Sequence, residues 1–143
     1  MKVLVVDDNR GLASLIQLRL EREGHKVNTA ASGSEGYVAY QALKPDLIIS
    51  DIFMPGESGL DMMKKIRAHD PDIKTIYITG DLNPFRGALE EEQRRYPVRY
   101  IEKPFSTKEI SEMISTLINT VNRGGDFPNL TVKGGEVDVE KPS

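Results

Sequence analysis

The chain has 143 residues, 19 of them Lys or Arg and 22 Asp or Glu, with a net charge of −3 and no cysteine. That length suits one domain that can bury its own core, and the lack of cysteine excludes disulfides and thiolate metal sites. Two histidines, His25 and His69, are too few for a histidine-based zinc centre; no basic stripe marks a nucleic-acid binder, and no apolar run approaches the ~20 residues of a membrane span.

The opening Met-Lys-Val-Leu-Val-Val-Asp reaches a carboxylate at position 7. It lacks the apolar region and cleavage site of a secretory leader, so the cytoplasm is the expected location. Residues 3–6 predict a first strand, which ends at Asp7 and Asp8. A first helix is predicted from about residue 10 to residue 23. Leu12, Leu15, Ile16 and Leu20 stand at helical spacing, and Gly24 follows as a residue able to take positive φ. Residues 27–30 predict the second strand. Ser32-Gly33-Ser34-Glu35 has the capping-box pattern of a second helix, which should stop before Lys44-Pro45.

Residues 47–49 predict a third strand leading to Asp51. The third helix should begin near Ser58, bury Leu60, Met63 and Ile66, and stop before Asp70-Pro71. Residues 76–78 predict the fourth strand, followed by Thr79 and Gly80. Asn83-Pro84 is an N-cap and first-turn proline for a fourth helix. Its apolar side is thin (Phe85, Ala88, Leu89), and the run Glu90-Glu91-Glu92-Gln93-Arg94-Arg95 reads as a solvated helix end. A divergent partner surface or a partly melted helix are the sharper readings of that run. Residues 98–101 predict the fifth strand, closed by Lys103-Pro104. A second capping box, Ser106-Thr107-Lys108-Glu109, opens a fifth helix with a stripe of Ile110, Met113, Ile114, Leu117, Ile118 and Val121.

Five strands in strict alternation with five helices imply an α/β fold, doubly wound, with helices on both faces of an open parallel sheet. The strands near Val3, Leu47 and Ile76 are almost wholly apolar, as strands covered on both faces are. Residues 1–122 form the expected domain, and residues 123–143 a Gly/Pro-rich tail or linker. Residues 130–139 alternate partially around Gly134-Gly135, the pattern of a short hairpin. A flexible tail is the main expectation, because an isolated hairpin is marginal in water.

Ligands of such sheets bind beyond the carboxyl ends of the strands. Asp7 and Asp8, Asp51, Thr79 and Lys103 follow the first, third, fourth and fifth strands. Carboxylates gathered at one edge repel, at ~4 kcal/mol for a pair ~4 Å apart in an effective dielectric near 20. Proton uptake or a bound cation relieves that repulsion, and a hard oxygen-seeking ion, Mg²⁺, is the expected one. Lys103 and the Thr79 hydroxyl can then hold phosphoryl oxygens, and Gly80 leaves the space open. Charge and donors around a transferring phosphoryl group are what that reaction chiefly needs. Asp51, the middle carboxylate, is the expected nucleophile.

Four segments carry a resemblance: Val3-Leu4-Val5-Val6-Asp7-Asp8-Asn9; Asp51-Ile52-Phe53-Met54-Pro55-Gly56-Glu57-Ser58-Gly59; Ile78-Thr79-Gly80; and Tyr100-Ile101-Glu102-Lys103-Pro104-Phe105. In this order and spacing, over about residues 1–122, the chain resembles the receiver domain of two-component response regulators, of the chemotaxis-receiver kind. The resemblance implies a flavodoxin-like sheet of order 2-1-3-4-5. It makes Asp51 the phosphoacceptor and Asp7, Asp8, Asp51 and the backbone carbonyl of Phe53 the Mg²⁺ ligands. Thr79 and Lys103 would contact the phosphoryl group, Lys103-Pro104 would be a cis peptide, and Tyr100 would swing inward as Thr79 moves. Phe53 and Asp81 would border the phosphoryl group. The implied partners are a sensor histidine kinase or a histidine phosphotransfer protein, and a second copy through helix 4, strand 5 and helix 5; nucleic acid and membrane are not expected partners. Such a chain would catalyse only its own phosphorylation and slow dephosphorylation. The alternative is an aspartyl-phosphate phosphohydrolase of the haloacid-dehalogenase kind, which wants a second acid two residues after the nucleophile, where this chain has Phe53.

Overall fold

Strands form where short apolar, β-branched runs are closed off by charged or turn-forming residues. A computed structural model describes residues 1–121, 130–133 and 136–139, with side chains as far as residue 117. The strands β1 (Lys2–Val6), β2 (Lys26–Ala30), β3 (Leu47–Asp51), β4 (Lys74–Thr79) and β5 (Val98–Glu102) pair in parallel in the order β2-β1-β3-β4-β5. This is the flavodoxin-like arrangement with its five helices: α1 (Arg10–Arg22), α2 (Gly33–Leu43), α3 (Gly59–Arg67), α4 (Arg86–Arg95) and α5 (Thr107–Val121).

The helices start at side-chain caps, each satisfying an amide that has no partner within its helix. The side chains of Asn9, Ser32 and Ser58 accept from the amides of Leu12, Glu35 and Asp61. At α5 the exchange is reciprocal: Glu109 donates its amide to Ser106 Oγ, and Ser106 donates its amide to Glu109 Oε2. The fourth helix departs from expectation. Asn83–Phe85 forms a 3-10 turn, and the α-helix starts only at Arg86.

Alternate residues of each central strand feed two cores. Val3, Val5, Leu47, Ile49, Ile76, Ile78 and Ile101 face α1 and α5. Leu4, Val6, Ile48, Tyr77, Val98 and Tyr100 face the side of α2, α3 and α4. The buried stripes differ from the apolar spacing on α1 and from the expected burial on α3. Leu15 is 58% exposed, because α1 buries the narrower stripe of Ala13, Ile16 and Leu20. On α3 the fully buried positions are Met62, Met63 and Ile66, while Leu60 is only partly buried. Ile118 and Val121 have side chains outside the described residues.

The sheet continues past β5. β6 (Leu130–Lys133) pairs in parallel with β5, and β7 (Glu136–Val139) pairs antiparallel with β6, making seven strands among the described residues. The expected Gly134-Gly135 turn lies outside the described residues. α1 carries the chain from β1 to β2 on one face, and α2, α3 and α4 carry it the other way across the opposite face. α5 shares the face of α1, yet β6 lies beyond β5.

Candidate functional site

The C-terminal ends of β1, β3, β4 and β5 bring together what the sequence leaves far apart. Asp7 follows β1, Asp51 ends β3, Thr79 ends β4, and Lys103 follows β5. One carboxylate oxygen from each of Asp7, Asp8 and Asp51 lies within 4.8 Å of the others. Lys103 Nζ stands 3.5 Å from Asp51 Oδ2. Asp51, Phe53, Thr79, Gly80, Asp81, Pro84, Phe85 and Lys103 line a cleft of about 500 Å³.

Backbone bonds hold these groups. The Asp7 amide donates to Ala30 O, Ile52 N donates to Ile78 O, and Lys103 N donates to Thr79 O at 2.8 Å. The Lys103–Pro104 peptide is cis. Thr79 Oγ1 is engaged locally: it donates to Asp81 O at 2.9 Å and accepts from Asp81 N. The Phe53 ring is 76% exposed at the cleft. Tyr100 is buried, at 9% exposure, on the α4 side of the sheet.

The electrostatics are those of carboxylates taken out of water. Asp7 is 1% exposed and its pKa is raised to about 6. Burial is the main cause; the bond from Asn9 N opposes it, the Asp51 charge adds to it, and Lys103 opposes it. Asp51 is also raised, by burial first, in spite of Lys103. Asp7 Oδ2 is buried and accepts no hydrogen bond. An orphaned buried carboxylate oxygen beside two more carboxylates fits a hard divalent cation such as Mg²⁺.

A pH dependence follows from Asp7, which faces Asp51, Asp8 and Lys103. The unfolded chain loses this proton near 3.8, while the folded chain keeps it up to about 6. Without divalent cations, stability should therefore fall by about 3 kcal/mol between those values as pH rises. Urea melts from pH 4 to pH 7 check this: the difference between wild type and Asp7→Asn should carry that slope, and saturating Mg²⁺ should remove it.

Sequence reading assigned no role to two features around this site. Gly59, at the first position of α3, abuts the Asp51 carbonyl; its place at a predicted helix start, eight residues past the nucleophile, was the available signal. Glu92, read as part of a solvated run, instead makes a buried ion pair with Arg67. No local pattern marks a partner 25 residues away.

The chain is similar in sequence and fold to known proteins. The family model described as response regulator receiver domain matches residues 3–115. A response regulator receiver domain protein from Clostridium thermocellum has a crystal structure similar to this chain, at 31% identity and a TM-score of 0.73, covering 85% of this chain and 97% of that one. The response regulator TrrA from Thermotoga maritima, solved in complex with Mg²⁺-BeF, is 32% identical with a TM-score of 0.69, over 80% of this chain and 96% of that one. Among curated proteins, the alkaline phosphatase synthesis transcriptional regulatory protein PhoP of Bacillus subtilis is 32% identical over 82% of this chain and 48% of its own length. The probable transcriptional regulatory protein TcrX of Mycobacterium tuberculosis is 31% identical over 87% of this chain and 55% of its own length. The chain thus spans about half the length of these two curated relatives.

Proposed function

This chain belongs to the response regulator receiver domain family and is a receiver of two-component signalling, and on that premise we propose that Asp51 is its phosphoacceptor in a Mg²⁺-dependent reaction. The observation that carries the reading is the placement of the Asp51 carboxylate 3.5 Å from Lys103, with a carboxylate oxygen of each of Asp7 and Asp8 within 4.8 Å of one of its own.

Asp7, Asp8, Asp51 and the Phe53 carbonyl would hold Mg²⁺. When bound, the ion offsets the carboxylate charge and that of the phosphoryl oxygens. An Asp51 oxygen attacks phosphorus, the bond to the donor nitrogen or oxygen breaks, and an acyl phosphate remains on the chain. Lys103, one-third exposed, is free to bind a phosphoryl oxygen. Thr79 would exchange its bond to Asp81 for one to the phosphoryl group. With Tyr100 buried on the α4 side of the sheet, the change should start in the Thr79–Asp81 loop and pass through Tyr100 to α4. Thr79 and Tyr100 remain the proposed switch pair.

A sensor histidine kinase or histidine phosphotransfer protein is the proposed donor, in the cytoplasm. Among the described residues no helix is long and apolar enough to cross a membrane. A homodimer through α4, β5 and α5 would rest on helix side chains, because β6 already pairs with β5 at Tyr100 and Ile101. The phosphohydrolase alternative is not favoured, since a hydrophobic Phe53 stands where that chemistry needs an acid.

Incubation with acetyl phosphate, read by intact mass, tests the proposal. One phosphoryl group should add to the wild type with Mg²⁺ and none after chelation. Multiple turnover of phosphomonoesters without an adduct would point back to the hydrolase.

A further inference from the structure

Resting on Asp51 as the acceptor, we infer that Gly59 is a positioning residue for the phosphoryl-transfer reaction, acting through the backbone of Asp51. The reason for glycine here is space, not conformation. Only Gly24 and Gly56 are glycines with positive φ among the described residues. A Cβ on residue 59 would overlap the Asp51 carbonyl oxygen, and would lie 2.8 Å from Ser50 Oγ and 3.1 Å from the Asp51 carbonyl carbon. Two of these are backbone atoms, which cannot rotate away as a flexible side chain can.

The contact sits at a joint between two rigid elements. Gly59 is the first residue of α3, and its amide donates to Ile52 O at 2.8 Å. Ser50, fully buried, donates its hydroxyl to the Asp51 carbonyl at 2.9 Å. The start of α3 is fixed from its own side by the Ser58 cap on Asp61 N. Glu57 just before it is paired with Lys65 at 2.7 Å. The Asp51 carbonyl is thus gripped between a hydroxyl and a bare Cα. That grip sets the peptide plane from which the Asp51 side chain points at Lys103. Packed interiors transmit such a displacement instead of absorbing it. A methyl group at residue 59 must push either the end of β3 or the start of α3 aside, and the shift is delivered to the nucleophile.

The test compares phosphorylation rates with acetyl phosphate and Mg²⁺, each normalised to the folded fraction from circular dichroism. Ile66→Val trims the core of the same helix away from Asp51 and should phosphorylate like the wild type. Gly59→Ala should be slower by about 100-fold, the size of effect a displacement near 1 Å can produce. Ser50→Ala removes the other contact on the same carbonyl without adding an atom, and should be slower severalfold. A folded Gly59→Ala that reacts at the rate of Ile66→Val overturns the inference. If Gly59→Ala does not fold, Ser50→Ala decides, and a rate equal to that of Ile66→Val overturns it. Failure of the wild type itself to take a phosphoryl group would sink the acceptor reading instead, so the two failures are distinguishable.

Discussion

Asp51→Asn is expected to take no phosphoryl group from acetyl phosphate, yet to be more stable than the wild type at pH 7 when divalent cations are chelated. The loss follows from the chemistry, since an amide oxygen in place of the carboxylate is too weak a nucleophile to form the acyl phosphate. The gain follows from the electrostatics. Burial raises the Asp51 pKa, and it does so against the opposing pull of Lys103 3.5 Å away. The folded state therefore disfavours the charged form on balance. Above the folded pKa that penalty is fully present; below the ordinary value of 3.8 both states are protonated and it vanishes. Asparagine removes the penalty together with the share of the Asp7 shift that the Asp51 charge causes. Mg²⁺ should reverse the order, because it binds the folded wild type more tightly than a site short of one carboxylate. Thermal melts at pH 7 with and without Mg²⁺ check the sign change, and intact mass checks the chemistry. A phosphorylated Asp51→Asn would mean another acceptor, and a variant no more stable than wild type under chelation would mean that Lys103 already offsets the buried charge.

The site was legible because parallel strands are apolar almost throughout, so a charged residue marks where each one stops. Asp7, Asp51 and Lys103 were placed at one edge on that ground alone. The order of the strands was not legible from composition or spacing; it came with the resemblance. Burial within helices was less legible, because spacing defines an apolar stripe without saying how much of it the sheet covers. That is why Leu15, though it stands at helical spacing with Leu12, Ile16 and Leu20, is 58% exposed. The position of Tyr100 depends on where α4 docks, which no local pattern reports. Of the strands β6 and β7 only the pattern of a short hairpin was legible; that β6 pairs with the edge of β5 was not, because spacing along the chain does not report which edge a strand joins. Glu92 fell in a charge run, where three adjacent acids look alike until the partner across the groove is known.

Glu92→Ala is expected to lower stability by about 3–5 kcal/mol, the usual penalty for stripping one partner from a buried ion pair. Glu92 Oε1 accepts from Arg67 Nη1 at 2.6 Å and from the Tyr77 hydroxyl at 2.7 Å. Arg67 also donates to Tyr77 Oη and Thr75 Oγ1, and its guanidinium lies 4.6 Å from the Tyr96 ring centroid. With Arg67 side chain exposure at 3%, the guanidinium cannot turn to water when its carboxylate is removed. Tyr77, fully buried, loses an acceptor in the same step. Against a total of ~5–15 kcal/mol for a domain, this loss is large. It should also be uneven. α4 buries one side chain, Leu89, so the clamp is a main attachment to the sheet beside the bond that Gln93 Nε2 donates to Val98 O. Amides of residues 86–95 should then exchange faster than those of α1 or α5. Thr75, Tyr77 and Thr79 are alternate residues of β4 and share one of its faces, so the clamp lies on the strand face that ends at the site. Glu90→Ala, at an exposed position of the same helix, should stay within about 0.5 kcal/mol of wild type. Replacing both partners by apolar residues, Arg67→Met with Glu92→Leu, should recover much of the loss, because no charge is then left buried alone. Urea melts of the four proteins decide it. If Glu92→Ala costs no more than Glu90→Ala, α4 is held by its apolar contacts and the ion pair is incidental to its docking.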